Sequence, residues 1–155
     1  MSSYPSGSTR LRWFALLAWI IFLLYASTDS FSIGETSGLI VPILSFLLPW
    51  LTPDELQFAH GVCRKAGHVI GYFILGVLAW RAFTAEPGRF ARARLLAASV
   101  VLAVAVTDEL HQSFVPSRTG SVLDIGYDCI GGLTALLLVP RFRNETRSLY
   151  SHPVL

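Results

Sequence analysis

The sequence has little charge and little cysteine. Aspartate, glutamate, lysine and arginine make up 14% of the 155 residues, whereas a soluble domain carries roughly 25%. Two cysteines are too few for the disulfide framework of a small secreted protein. Apolar residues make up 53%, and the mean hydropathy is +0.56. This composition excludes a disordered chain and exceeds what a soluble domain of this size could bury, so we predict an integral membrane protein.

The basic residues are also few. Eleven of the twelve are arginine, and they occur in short clusters between apolar runs. The net charge of +2 comes with no block of like charge and no interleaving of aromatic and basic residues. Nothing in this pattern is typical of a nucleic-acid-binding surface, so we expect no nucleic acid partner.

Four apolar runs are long enough to be transmembrane helices. They cover residues 11–26, 60–83, 95–115 and 121–139, with the last ending before Pro140. A fifth run, Gly38–Leu51, contains Pro42 and Pro49 and is too short for an ordinary span. We therefore predict an all-α, polytopic membrane protein: a bundle of four transmembrane helices plus a short re-entrant or interfacial segment.

Local signals refine two of these elements. Thr52, Pro53 and Glu55 form the pattern of a capping box with proline at the first helical position, which predicts a helix start at Thr52. Arg10 and Arg12 precede the first apolar run, a pattern that a cleaved signal peptide shares. The length of that run favours a retained helix.

The distribution of cations predicts the orientation. With four spans, both termini share one side, and nine arginines fall on that side: residues 10, 12, 81, 89, 92, 94, 141, 143 and 147. Arg64, Lys65 and Arg118 remain for the other side. The positive-inside rule makes both termini cytoplasmic in the plasma (inner) membrane. We expect a disordered tail over 1–9, one transmembrane domain over 10–140 and a second cytoplasmic tail over 141–155.

Polar residues from three predicted spans fall at one membrane depth. Counting 1.5 Å per residue, Asp108 lies roughly 12 Å along its helix from Pro116, on the outer side. Helical spacing places the polar residues of each span on one stripe. The set that we expect to line an outward-facing cavity is Lys65, His68, Tyr72, Asp108, Glu109, Gln112, Arg118, Asp124 and Asp128. Small residues, Gly67 and Gly71 on one helix and Gly131-Gly132 on another, favour close helix contacts.

The charges of this set do not balance. Four acids accompany only Lys65 and Arg118, and an ionised group in a membrane costs at least ~2.5–3.5 kcal/mol. A neutral carboxylic acid, a protonated His68 or a divalent cation could compensate the excess negative charge. The sequence does not distinguish among these three. No metal-binding motif or cofactor motif is present, so we predict neither. His60 and His111 are interpreted as peripheral, and a disulfide between Cys63 and Cys129 is not favoured.

Two segments resemble a known family. Lys65-Ala-Gly-His68-Val-Ile-Gly-Tyr72 is similar to the first signature of the VanZ-like membrane proteins. The second signature is matched by Asp108-Glu109-Leu-His-Gln112, then Pro116-Ser-Arg118, Asp124 and Asp128. The likeness extends over about residues 10–140, although the family commonly has asparagine at the position of Asp128. The resemblance implies a bacterial cell-envelope protein connected with susceptibility to glycopeptide antibiotics such as teicoplanin, and it implies no particular reaction.

Three functional hypotheses remain open. In the first, the cavity binds or processes an amphiphile: a membrane lipid, a lipid-linked envelope precursor or a lipophilic antibiotic. Asp108, Glu109 and His68 would then be the catalytic acid/base set of an enzyme, while the other members of the set bind the substrate. In the second hypothesis the residues form a proton relay in a small transporter. In the third they only hold the bundle together or bind a partner protein. The oligomeric state is not predicted.

Overall fold

Four long apolar helices and one shorter helix make up the described part of the chain. The structure is a computed structural model that describes residues 6–28, 33–84, 90–115 and 121–149, with side chains described in 9–28, 34–84, 90–115 and 121–139. The helices are α1 (Ser6–Ala26), α2 (Ile33–Leu47), α3 (Pro53–Phe83), α4 (Phe90–Ser113) and α5 (Val122–Leu149). Within these ranges there is no β-strand. The predicted all-α fold is confirmed.

Four segments are long and apolar enough to cross a membrane. They are Thr9–Ala26, Pro53–Phe83, Phe90–Ser113 and Val122–Val139. Large apolar side chains on the outside of the bundle, such as Phe14, Leu95 and Leu137, are exposed. An apolar exterior is what contact with lipid chains requires. The protein is therefore a multi-pass membrane protein.

The helix ends differ in places from the predicted ones. The last apolar run was predicted to end before Pro140, but the helix continues through this proline to Leu149. At the other end of the chain, α1 begins at Ser6, inside the segment expected to be a tail. Proline is tolerated in transmembrane helices where neighbouring groups satisfy the freed carbonyls, so Pro140 alone did not define the helix end.

The short segment is the helix α2. It is 15 residues long, or about 22 Å, which is less than the ~30 Å thickness of a bilayer core. Pro42 lies inside this helix, which begins at Ile33, five residues before the predicted apolar run, and ends at Leu47. The following helix begins where the capping box predicted: the Thr52 side chain accepts a hydrogen bond from the Glu55 amide, and the Glu55 carboxylate accepts one from the Thr52 amide.

Helix α3 is the centre of the bundle. It packs against α5 most extensively and also against α4, α1 and α2. Small residues make the closest contacts between α3 and α5: a Cβ atom at Gly131 would overlap the Val69 carbonyl, and one at Gly76 would lie 2.5 Å from the Gly132 carbonyl oxygen. The apolar core lies beside this seam and includes Leu75, Ala79, Ala97, Val101 and Leu136. The predicted role of Gly131 and Gly132 in close packing is confirmed.

One hydrogen bond ties α1 to this centre. The Trp19 indole donates to the Gly71 carbonyl at 2.9 Å, and a Cβ atom at Gly71 would meet the Leu23 side chain at 3.0 Å. Gly67, the other glycine of the predicted pair, has nothing within 4 Å of the position where its Cβ would be. Only Gly71 of this pair therefore serves helix packing.

Replacing Trp19 with phenylalanine tests the α1–α3 link. The ring would keep its contact with Phe22, whose centroid is 5.0 Å away, but the hydrogen bond to Gly71 would be lost. Interhelical hydrogen bonds in membrane proteins contribute about 0.6 kcal/mol, so we expect a loss of that size in the free energy of unfolding, measured by denaturant titration in mixed micelles. The control is Trp50→Phe at an exposed tryptophan. An equal loss in both variants would contradict the assignment.

Candidate functional site

The polar side chains of α3, α4 and α5 meet in the half of the bundle next to the α4–α5 connection. Helix α3 contributes His68 and Tyr72, α4 contributes Asp108 and Gln112, and α5 contributes Asp128. Tyr72, Asp108, Gln112 and Asp128 are buried, and His68 is half-buried. We call these five residues the polar cluster. The structure thus brings together residues separated by as many as 60 positions in the sequence.

Two hydrogen bonds organise the cluster. The His68 Nδ1 atom lies 3.2 Å from Asp128 Oδ1, which links α3 to α5. On α4, the Gln112 amide donates to Asp108 Oδ2 at 3.2 Å, across one turn of the helix. These contacts fix one oxygen of each aspartate. The geometry therefore makes Gln112 a positioning residue for Asp108 and His68 the partner of Asp128.

Other polar atoms of the cluster are buried without a hydrogen bond. Within the described ranges, Asp108 Oδ1, Asp128 Oδ2 and the Tyr72 hydroxyl have no hydrogen-bond partner. Asp108 is 2% exposed and Asp128 is 0% exposed. Leaving such groups unsatisfied in an apolar environment costs free energy. The cluster therefore has capacity to bind a further polar group or ion.

Glu109 lies at the edge of the cluster. It is buried, and its Oε2 atom accepts a hydrogen bond of 2.6 Å from the backbone amide of Ser121, just before α5. This contact ties the end of α4 to the start of α5. Glu109 does not line the cavity described below, so its geometry suits a role in holding the two helices together.

Lys65 and Asp124 form a separate pair at the rim. The Lys65 ammonium lies 2.5 Å from Asp124 Oδ1 and 4.6 Å from the centroid of the Tyr127 ring. Their side chains are 53% and 32% exposed. Neither residue lines the cavity. The structure therefore places these two predicted site residues beside the cluster and pairs them with each other.

A cavity of about 350 Å³ opens onto the cluster. It lies among α1, α2 and α3, and its inner end reaches α4. The wall contains apolar side chains that include Trp19, Phe22, Leu23, Ile40, Ile70 and Ile74. The polar lining includes Arg64, His68, Tyr72 and Asp108. One cavity thus joins an apolar wall to three members of the polar cluster.

Sequence reasoning missed some of the residues around this cavity. Arg64 lines the cavity. It lies four residues before His68, and this spacing, which puts the two on one helix face, could have identified it from the sequence. Ser27, at the end of α1, also lines it and is buried. Prediction of α1 as a membrane span gave no reason to single out Ser27.

One histidine was misinterpreted. His60, predicted to be peripheral, is fully buried, and its Nε2 atom lies 3.1 Å from the Thr36 hydroxyl on α2. Because α2 packs on α3, a residue near the start of the long helix is covered. His111 is exposed as expected, and the two described cysteines are free thiols.

Three residues of the cluster have the donor atoms for a metal ion. Each of His68, Asp108 and Asp128 offers one ligand atom, and these atoms all lie within 4.8 Å of one another. The predicted substrate-binding residue Arg118 lies outside the described residues, so its role stays a prediction. The catalytic and binding roles of the other residues stay predictions as well.

The fold and the site define a class: a multi-pass helical membrane protein with a buried aspartate–histidine cluster formed by three of its helices. The family model of VanZ/LLP1 matches residues 12–143, which is most of the chain. The protein belongs to the VanZ/LLP1 family, and the resemblance predicted from the two signature segments is confirmed. Comparison with curated proteins and with solved structures gives no match.

Proposed function

We propose that this protein binds an anionic amphiphile in the cavity between α1, α2 and α3. The observation that carries the proposal is the composition of the cavity wall. Apolar side chains from three helices form most of the lining, and the same cavity is also lined by Arg64, His68 and Asp108. The volume of about 350 Å³ lies within the ~300–1,000 Å³ range of ligand sites. A ligand with an apolar chain and one polar headgroup would match a cavity that has both apolar and charged lining residues.

Arg64 is the residue that we expect to contact the headgroup. A guanidinium binds phosphate and carboxylate groups with two parallel hydrogen bonds, and Arg64 lines the cavity together with His68. This modifies the prediction for Lys65, which does not line the cavity. Arg118 remains a second candidate for the same headgroup.

The source of the amphiphile follows from the orientation. The positive-inside rule predicts that the side with both termini and nine of the eleven arginines is cytoplasmic. The polar cluster then faces the outer side of a bacterial plasma membrane. Phospholipids and lipid-linked precursors of the envelope are amphiphiles present in that leaflet. Binding or removal of a lipid-linked envelope precursor would alter the supply of the glycopeptide target, in line with the connection to glycopeptide susceptibility that the resemblance implies.

Processing of the bound amphiphile is an extension of this proposal. His68 and Asp108 line the cavity, and a histidine and a carboxylate are suited to general acid–base work near neutral pH. Glu109 is less suited to this role. Its Oε2 atom already accepts a hydrogen bond from the Ser121 amide, and its side chain does not line the cavity. We therefore assign the candidate acid–base pair to His68 and Asp108.

The apolar core favours binding over transport through the protein. On the far side of the cluster, Leu75, Ala79, Ala97 and Val101 are buried against one another. A proton or ion pathway needs polar side chains or water along its length. The packing of these four residues gives no such lining in that part of the bundle.

Filling the cavity tests the proposal directly. Gly67 lines the cavity, and a Cβ atom there would have nothing within 4 Å, so Gly67→Phe should fold normally and occupy the space of the ligand. We expect wild-type protein in a non-ionic detergent to bind one phosphatidylglycerol, detected by native mass spectrometry. Blocking a concave site that buries most of its ligand should weaken this binding by at least about tenfold.

A matched control lies on the same helix. Gly61 also has nothing within 4 Å of its Cβ position but does not line the cavity, so Gly61→Phe should bind as wild type does. Arg64→Gln should reduce the preference for phosphatidylglycerol over phosphatidylcholine. Equal binding by wild type and Gly67→Phe would show that the lipid binds elsewhere and would overturn the proposal.

A further inference from the structure

We propose that His68, Asp108 and Asp128 bind one divalent metal ion of the Mn²⁺ or Zn²⁺ type. The three residues come from α3, α4 and α5, and their ligand atoms lie within 4.8 Å of one another. An ion between them would cross-link the three helices that form the centre of the bundle. The argument rests on the donor spacing, on the buried oxygens and on the charge.

The spacing of the donor atoms is that of neighbouring metal ligands. In a tetrahedral site with bonds of ~2.1 Å, two ligand atoms lie roughly 3.4 Å apart. The His68 Nδ1 and Asp128 Oδ1 atoms are 3.2 Å apart. Asp108 completes the set within 4.8 Å, so a small inward movement of one side chain would bring all three into contact with an ion.

The buried carboxylate oxygens supply the second argument. Asp108 and Asp128 are more than nine-tenths buried, and each has one oxygen without a hydrogen bond in the described part of the chain. A cation bound by Asp108 Oδ1 and by both oxygens of Asp128 would satisfy these two atoms, Asp108 Oδ1 and Asp128 Oδ2, which protein donors leave unsatisfied. Two carboxylates and one dication also give a cluster of zero net charge, which suits a low-dielectric site.

The donor types select among ions. Imidazole nitrogen favours zinc and other transition metals, whereas carboxylate oxygen favours magnesium, calcium and manganese. A set of one nitrogen and two carboxylates therefore suits Zn²⁺ or Mn²⁺ better than Ca²⁺ or Mg²⁺. Gln112 supports the set, because its amide donates to Asp108 Oδ2 at 3.2 Å and fixes the orientation of that carboxylate.

The ion would be reached from the cavity. His68 and Asp108 both line it, whereas Asp128 does not. With the ion bound, His68 and Asp108 would act as its ligands and not as the acid–base pair considered for the metal-free site, and the coordination positions left open would face the ligand space. A phosphate headgroup could bind there beside Arg64. This last link rests on the proposed function, whereas the metal site itself does not.

Metal titration of purified protein tests the site without any added lipid. The protein is stripped with EDTA in detergent, then titrated with Mn²⁺ followed by electron paramagnetic resonance, or with Zn²⁺ followed by calorimetry. We expect one ion per chain. The variants His68→Gln, Asp108→Asn and Asp128→Asn should each lose it, and Gln112→Leu should weaken binding by roughly 10- to 100-fold, as for other residues that orient a ligand.

The control variant Asp124→Asn removes a nearby negative charge that is not a proposed ligand. It therefore distinguishes direct coordination of the ion from non-specific attraction of cations by acidic side chains. The Asp124 carboxylate is on α5 but is paired with Lys65, so this variant should still bind one ion. Wild-type protein that binds no stoichiometric ion would overturn the proposal whatever the variants do. Loss of the ion in Asp124→Asn to the same extent as in Asp128→Asn would also overturn it. A bound ion in protein that binds no phosphatidylglycerol would support the metal site and count against the proposed function.

Discussion

Replacing His68 with leucine should lower the free energy of unfolding by about 3 kcal/mol. Breaking a buried pair by removing one partner typically costs ~3–5 kcal/mol, because the remaining charge is left uncompensated. Asp128 is fully buried, and the His68 ring is 3.2 Å from its carboxylate. We expect the lower end of the range because 26% of the His68 side chain is exposed to the cavity. Leucine keeps the volume of the ring, so packing contributes little to the loss.

A double-mutant cycle isolates the contribution of the pair. Replacing both His68 and Asp128 with leucine removes the stranded carboxylate, so the double variant should be more stable than His68→Leu alone. The measurement is denaturant titration in mixed micelles, with EDTA present so that a bound ion does not contribute. His111→Leu, at an exposed histidine, should change the free energy by less than about 0.5 kcal/mol. Simple additivity in the cycle would refute the pairing.

The sequence predicted the elements of the fold well because their signals are local. A run of apolar residues predicts a membrane span wherever it occurs, and the pattern around Thr52 places the start of α3 to the residue. Helix ends that depend on neighbours were harder to predict. The last apolar run was predicted to end before Pro140, but α5 continues to Leu149, since a proline does not by itself end a membrane helix.

The depth of the polar cluster was predictable, whereas its lateral arrangement was not. Counting residues from each helix end placed His68, Asp108 and Asp128 at one level, and the structure brings their ligand atoms within 4.8 Å. The rotation of each helix decides which neighbour a side chain meets. Lys65 shares a stripe with His68 but pairs with Asp124 at the rim, while Arg64 turns to the cavity.

That rotation is set by the glycines between α3 and α5. The Val69 carbonyl packs against Gly131, and the Val101 side chain of α4 packs against Gly132, so closely that a Cβ atom would not fit at either glycine. Val69 is the residue after His68, and Gly131 lies three residues after Asp128. The same close approach that packs the two helices therefore brings the histidine and the aspartate within hydrogen-bond distance.

Replacing Gly131 with alanine should therefore destabilise the bundle and separate this pair. The added methyl group would overlap a backbone carbonyl, which cannot rotate away as a side chain can, so the helices must move apart; overpacking of this kind costs about 1–3 kcal/mol. Gly126→Ala on the same helix is the matched control. Nothing lies within 4 Å of its Cβ position, and alanine is favoured over glycine in a helix by about 0.5–1 kcal/mol.

Both variants can be compared by thermal unfolding followed by circular dichroism. We expect a lower midpoint for Gly131→Ala and an unchanged or higher midpoint for Gly126→Ala. In the Gly131→Ala background, the coupling energy between His68 and Asp128 should also fall, because a wider helix spacing lengthens their 3.2 Å contact. Equal midpoints in the two alanine variants would mean that the glycine seam does not set the helix spacing. The position of the polar cluster would then need another cause.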